Sequence, residues 1–200
     1  MHFRLATLEA ALTIDQYDVP ERSPALGSVV EADRGALPFA LIHGEALVAC
    51  AAWALADAGV TAVDERTAWS GVVDSGEPFV LHDVLCPMTP ASFIATCVAT
   101  AVGRHTVVVG VHPATDPASQ TGDGASVDRA DQFSVASPVV LPAGIVAALG
   151  VLPTLDFAAL VAALRSRFPV TFLEAPPEAG RVGSVDDIRA LEALTLPTVP

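Results

Sequence analysis

The run TVVVGV at 106–111 constrains the fold more than any other stretch of the chain. It shows no apolar–polar alternation, so as a strand it needs cover on both faces, the environment of strands in parallel sheets. Two further apolar runs, at 79–82 and 170–173, read as strands, and 139–141 reads as a shorter one. Between them lie helical patterns. An Ala-rich stretch at 45–57 is stopped by Gly59, and a second helix runs from an N-cap at Thr89-Pro90 to about 102. A third is capped by Thr154 and runs to about 167, and Ser184-Val-Asp-Asp187 opens the last with a capping-box-like pattern. Alternating strands and helices predict a single-domain α/β fold, with a mostly parallel sheet and helices on both faces.

Two segments stand outside this alternation. Residues 1–38 are punctuated by Pro20, Pro24, Gly27, Gly35 and Pro38 and read as a divergent, loop-rich N-terminal segment. The stretch at 113–130 is rich in Pro, Ser, Gly, Asp and Thr and reads as an exposed loop or arm. Residues 39–42 form a short apolar strand or turn.

The formal charge is −13, from 23 acids against 10 bases. Nucleic-acid affinity comes largely from Lys and Arg on phosphates, so this balance argues against such a partner. The chain has no lysine, and every basic side chain apart from histidine is an arginine. An anionic substrate would therefore need some of those few arginines to converge. The longest apolar run, 46–56, is well short of the roughly 18–20 residues of a membrane span. With no charged-then-apolar leader pattern at its start, the chain is expected to be soluble and cytoplasmic, with no membrane partner.

Cys50, Cys86 and Cys97 lack metal-ligand spacing, and Cys50 and Cys97 fall within helical apolar patterns, as core thiols do. The five histidines are scattered. His82-Asp83 is different, because it ends a buried strand at the edge where open α/β sheets bind ligands. The plain reading is that the pair closes the strand and caps the turn, and His82 fits it well. Asp83 fits a binding role equally.

Four motifs in order sharpen this. "LIHGEALV" (41–48) is similar to L-x-G-G-K-P-L-L, and "FVLHDVLCP" (79–87) to a strand ending V-H-D-A-A-R-P. "HPATDP" (112–117) is similar to P-V-T-D-T, and "VDRADQFSVASP" (127–138) to L-D-R-x-x-L-W-x-x-Q-T-P. More faintly, 178–194 resembles E-N-I-K-I-T-T-P-E-D-L-x-x-A-E-x-L. Over roughly 39–195 the chain thus resembles the methylerythritol phosphate cytidylyltransferases of isoprenoid-precursor synthesis, which have a Rossmann-like nucleotidyltransferase fold.

That resemblance implies several things. Asp83 matches a carboxylate beside the nucleotide and the sugar phosphate, and is the one candidate metal ligand. Thr115, Arg129 and Arg181 match acceptor-side positions, with Arg129 reaching the sugar phosphate across a dimer. Residues 117–128 take the place of an arm that hooks the neighbouring subunit, so a homodimer is expected. Mg²⁺ would be needed if the chain is active, and no other cofactor is implied.

The departures weigh against activity. The family opens with a strand and an A-A-G-x-G-x-R-M loop followed by a lysine, whose amides and cations cradle the CTP triphosphate. Residues 1–38 contain no G-x-G and no lysine. The interval 59–78 is too short for the family's further strand and its G-G-x-x-R-x-x-S segment. Cys86 replaces the arginine of H-D-A-A-R-P, and Pro117 replaces the second threonine of T-D-T. Arg181 replaces the lysine of I-K-I, which keeps the charge but changes its geometry.

The expectation is a degenerate, catalytically inactive relative with a binding, oligomerisation or regulatory role, and with a small sugar phosphate as its candidate ligand. The alternatives are an active cytidylyltransferase making CDP-methylerythritol, or another nucleotidyl- or sugar-phosphate transferase.

Overall fold

The computed structural model describes residues 23–64, 66–113, 133–152 and 154–196. The fold starts with β1 (Ala25–Val30), a 3-10 turn (Leu37–Phe39) and a two-stranded hairpin, β2 (Leu41–Ile42) with β3 (Glu45–Ala46). Helix α1 (Leu47–Asp57), β4 (Val60–Ala62), α2 (Trp69–Ser75), β5 (Phe79–Asp83) and α3 (Ala91–Arg104) follow. The second half holds β6 (Val107–Pro113), β7 (Phe133–Leu141), α4 (Ala143–Leu149), α5 (Phe157–Arg165), β8 (Val170–Glu174) and α6 (Val185–Thr195).

Six strands form one sheet in the order β4-β1-β5-β7-β6-β8. Only β7 runs against its neighbours, pairing antiparallel with β5 and β6, while the other pairings are parallel. The expected mostly parallel sheet is present, with β6 inside it. Val107, Val109 and Val111 join a core with α4 and α5, whereas Val108 packs on the opposite face with Ile94, Cys97 and Val98 of α3. That two-sided burial is why the run at 106–111 carries no polar alternation.

The N-terminal reading is corrected. Residues 25–30, taken as part of a loop-rich segment, form β1 between β4 and β5. Gly27 disguises this strand. A Cβ there would lie 2.6 Å from Val60 Cγ1 and 3.0 Å from the Val80 carbonyl oxygen, so the neighbouring strands demand the residue that makes the run look like a turn. The interval 59–78 also holds more than expected, since β4 and α2 both fit into it.

Two caps move. Thr89 does not cap α3; its hydroxyl donates to the Cys86 carbonyl at 2.8 Å, and Pro90 stands at the N-cap without a side-chain bond. Asp156 rather than Thr154 caps α5, accepting from the Ala159 amide at 2.8 Å, while Thr154 accepts from the Asp156 amide. Ser184 does cap α6, accepting from the Asp187 amide, and the Asp187 carboxylate reaches back to the Gly183 amide at 2.9 Å. The Gly183 amide, followed by bonds from Ser184 to the carboxylate, holds Asp187 below the usual carboxylate range. The arm read at 113–130, apart from its first residue, lies outside the described residues. Among the described residues, no helix is long and apolar enough to cross a membrane.

Candidate functional site at the end of β5

Asp83 is the last residue of β5 and stands in register with Val30, the last residue of the parallel β1. The C-terminal ends of both strands therefore open side by side, and the chain leaving β1 passes over Asp83. The Val84 amide donates to the Val30 carbonyl at 3.3 Å, joining the two strand ends beyond the ladder.

The carboxylate of Asp83 is buried, with a side-chain exposure of 3%. From the loop after β1, Arg34 donates through Nε to Oδ1 at 3.1 Å and through Nη2 to Oδ2 at 3.4 Å. From the segment before α6, Arg181 donates through Nε to Oδ2 at 3.1 Å. The Leu85 amide adds a third source, donating to Oδ1 at 3.1 Å. Arg181 is held in place by a backbone bond from the Val182 amide to the Leu85 carbonyl at 2.8 Å. A carboxylate this deep is tolerable because charged donors meet both of its oxygens.

The two guanidinium groups differ. Arg34 is 11% exposed, and its Nη1 also donates to the Ala32 carbonyl, so it is folded inward. Arg181 is 46% exposed and engages Asp83 through Nε. The trio carries one net positive charge, and its solvent-facing part belongs to Arg181.

His82, the residue before, points elsewhere. It is fully buried, and its Nδ1 lies 2.5 Å from Ser137 Oγ on β7, which also accepts from the Asp83 amide at 3.0 Å. Burial pushes the imidazole down to about 4 against the opposing pull of the Asp83 charge, so it is neutral at physiological pH. Its Nε2 is buried without a partner among the described residues. This is the strand-closing role that the sequence suggests for His82.

Ser137 reaches this position because Gly110 lets β7 come close. A Cβ on Gly110 would stand 2.6 Å from the Ser137 carbonyl oxygen, and the β6–β7 register shifts between Val109 and Val111. The Ser137–Pro138 peptide is cis. Cys86 lies buried within the loop after β5, its thiol pushed up first by burial and then by the Asp83 charge. Cys97 is pushed up to about 12 by burial alone. Neither thiol is a nucleophile at neutral pH.

The fold brings Asp83 and Arg181 together in one ion pair. Thr115 and Arg129 lie outside the described residues. Sequence reasoning missed Arg34 and Ser137. Arg34 follows β1 closely, and placing that strand correctly is the signal that would have found it.

Asp83 is a poor fit for a divalent cation. Both oxygens are taken by guanidinium or amide donors, and a metal would have to displace an arginine against their repulsion. Among the described residues no group of three or more His, Cys, Asp or Glu side chains is placed to hold a metal.

The strand order, with β7 as its single antiparallel strand, defines a mostly parallel six-stranded α/β fold. Solved structures give that class its particulars. The chain is similar to 4-diphosphocytidyl-2C-methyl-D-erythritol synthase from Anaerococcus prevotii, at 10% identity over 86% of this chain and 94% of that one, with a TM-score of 0.57. It is similar to 2-C-methyl-D-erythritol 4-phosphate cytidylyltransferase from Thermus thermophilus, at 20% identity over 86% of this chain and 98% of that one, also at 0.57. A further 4-diphosphocytidyl-2C-methyl-D-erythritol synthase matches at 14% identity, again over 86% of this chain and 98% of that one, with 0.56. No family model matches the sequence, and no curated protein does. At these identities the likeness establishes the fold.

Proposed function

We propose that this chain is a non-catalytic relative of the cytidylyltransferases, which keeps their scaffold for binding, oligomerisation or regulation. One observation carries the reading. The loop after β1, where the resemblance calls for a glycine-rich phosphate cradle, reads Glu31-Ala-Asp-Arg-Gly-Ala36. It contributes two carboxylates and one cation, and that cation, Arg34, is committed to Asp83. The Arg34 amide is also used, donating to the Glu31 carbonyl at 3.2 Å. A triphosphate would meet two negative charges and find the local guanidinium taken. Each lost transition-state donor costs about 10²–10³ in rate, so losing several leaves little turnover.

Any surviving ligand belongs on the acceptor side, at the half-exposed guanidinium of Arg181 with Thr115 and Arg129 from the arm segment. A small sugar phosphate suits it. The acidic background makes the affinity weak, on the order of millimolar, and sensitive to salt. Arg129 would come from the partner copy in a homodimer hooked by 117–128. A cytoplasmic location accords with this reading.

Calorimetric titration at low salt tests it, comparing a small sugar phosphate with CTP on the wild type and on Arg129→Ala. Sugar-phosphate binding weakened by Arg129→Ala is expected. Preference for CTP, or binding that ignores the substitution, contradicts the proposal. Light scattering at micromolar concentration should return twice the monomer mass, and the monomer mass would reject the dimer.

A further inference from the structure

A separate space lies on the face of the sheet that α2 covers. Val30 of β1, Phe79 and Leu81 of β5, Trp69 and Val72 of α2, and Leu152 after α4 line a cavity of about 100 Å³. It shares no lining residue with the Asp83 cluster. Trp69 stands edge-on to Phe79, with ring centroids 5.4 Å apart and planes at 81°, so a neighbouring ring fixes the indole plane. Its Nε1 is buried and has no partner among the described residues. An indole N–H taken out of water and left unbonded costs the full desolvation of a donor, and a bound acceptor would recover it.

We propose that this cavity is a binding site for a small uncharged heteroaromatic molecule, about one six-membered ring in size, whose acceptor atom takes the Trp69 N–H. The volume is of the order that admits one ring, since an engineered apolar cavity of about 150 Å³ binds benzene. The apolar and aromatic lining favours a flat, uncharged guest, and the carboxylate of Asp64, which also lines the space, disfavours anions. Ser28 and Thr67 also line the space, but the buried indole N–H is the donor without a partner among the described residues, and it sets the requirement for an acceptor. The site does not depend on whether the chain is catalytic.

The test uses pyridine and benzene, which match in size and differ in the acceptor nitrogen. In ¹H–¹⁵N spectra of the full chain at pH 7.5, the two indole N–H signals come from Trp53 and Trp69. Trp53→Phe, a change at a side chain that is 53% exposed, assigns them. Pyridine should move the Trp69 indole signal along a saturating curve and leave that of Trp53 in place. The pyridine-to-benzene affinity ratio should also fall on the order of fivefold in Trp69→Phe, a comparison in which the differing hydration of the two probes cancels. Indole signals that stay still, or move together without saturation, would overturn the proposal even if Trp69→Phe fails to fold. An unchanged ratio in a folded variant would do the same.

Discussion

Two loops leave adjacent parallel strands at the same edge of the sheet, and they have opposite characters. The loop after β5 is buried through Val84, Leu85 and Cys86, and its amides return to Val30 and Asp83. The loop after β1 is mostly solvent-facing, carries Glu31 and Asp33, and sends a single arginine inward. Where a phosphate cradle would need free amides and cations, it offers carboxylates. Arg34 therefore belongs, in function, to the β5 loop: it neutralises Asp83 and leaves its own loop acidic. The scaffold at this edge is thus held by a charge cluster that ties the two loops together through Asp83.

Breaking that cluster should have the largest effect. Asp83→Ala leaves the inward Arg34 without its carboxylate and the Leu85 amide unpaired, and should cost about 3–4 kcal/mol in urea unfolding. A loss below about 1 kcal/mol would mean that the two loops are not joined through Asp83.

The neutral His82 behind the same strand end should impose a pH dependence of similar size. Its pKa is about 4 in the folded chain and about 6.5 when unfolded, so the unfolded state binds the proton first as pH falls. The stability from keeping it neutral is intact above about pH 6.5. It is lost at about 1.4 kcal/mol per pH unit down to pH 4, or about 3 kcal/mol in all. Urea midpoints at pH 7, 6 and 5 should show this slope in the wild type and a flatter one in His82→Gln. Equal slopes would remove His82 from the account.

Gly110→Ala acts one layer further back. Its Cβ would press on the Ser137 carbonyl, so it should cost about 2 kcal/mol and move the His82 ring resonances. The smallest effect separates the two arginines. Arg34→Met should destabilise more than Arg181→Met, because the first guanidinium is buried and makes two bonds to Asp83 while the second is half exposed. The reverse order would place the anchoring charge on the wrong loop.

Legibility in the sequence followed the same divide. β5 and β6 could be read because burial on both faces demands unbroken apolar runs, and the positions of α1, α3, α5 and α6 followed from periodicity, with the expected cap in place only at α6. β1 could not, because the close approach of Val60 and Val80 requires Gly27 and Ser28 follows it, so a central strand looks like a turn. Thr89 misled as a cap because its hydroxyl found the Cys86 carbonyl first. Asp83 and Arg181 were visible through motif resemblance. The pairing of Asp83 with Arg34, 49 residues apart, depends on strand order and leaves no local mark.

The central claim is that this scaffold performs no cytidylyl transfer. Its most direct measurement is pyrophosphate release from CTP with methylerythritol 4-phosphate and Mg²⁺, at micromolar protein. The account predicts release at the no-protein background. A turnover near 1 s⁻¹, at the low end of the usual enzyme range of about 1–10³ s⁻¹, would contradict it.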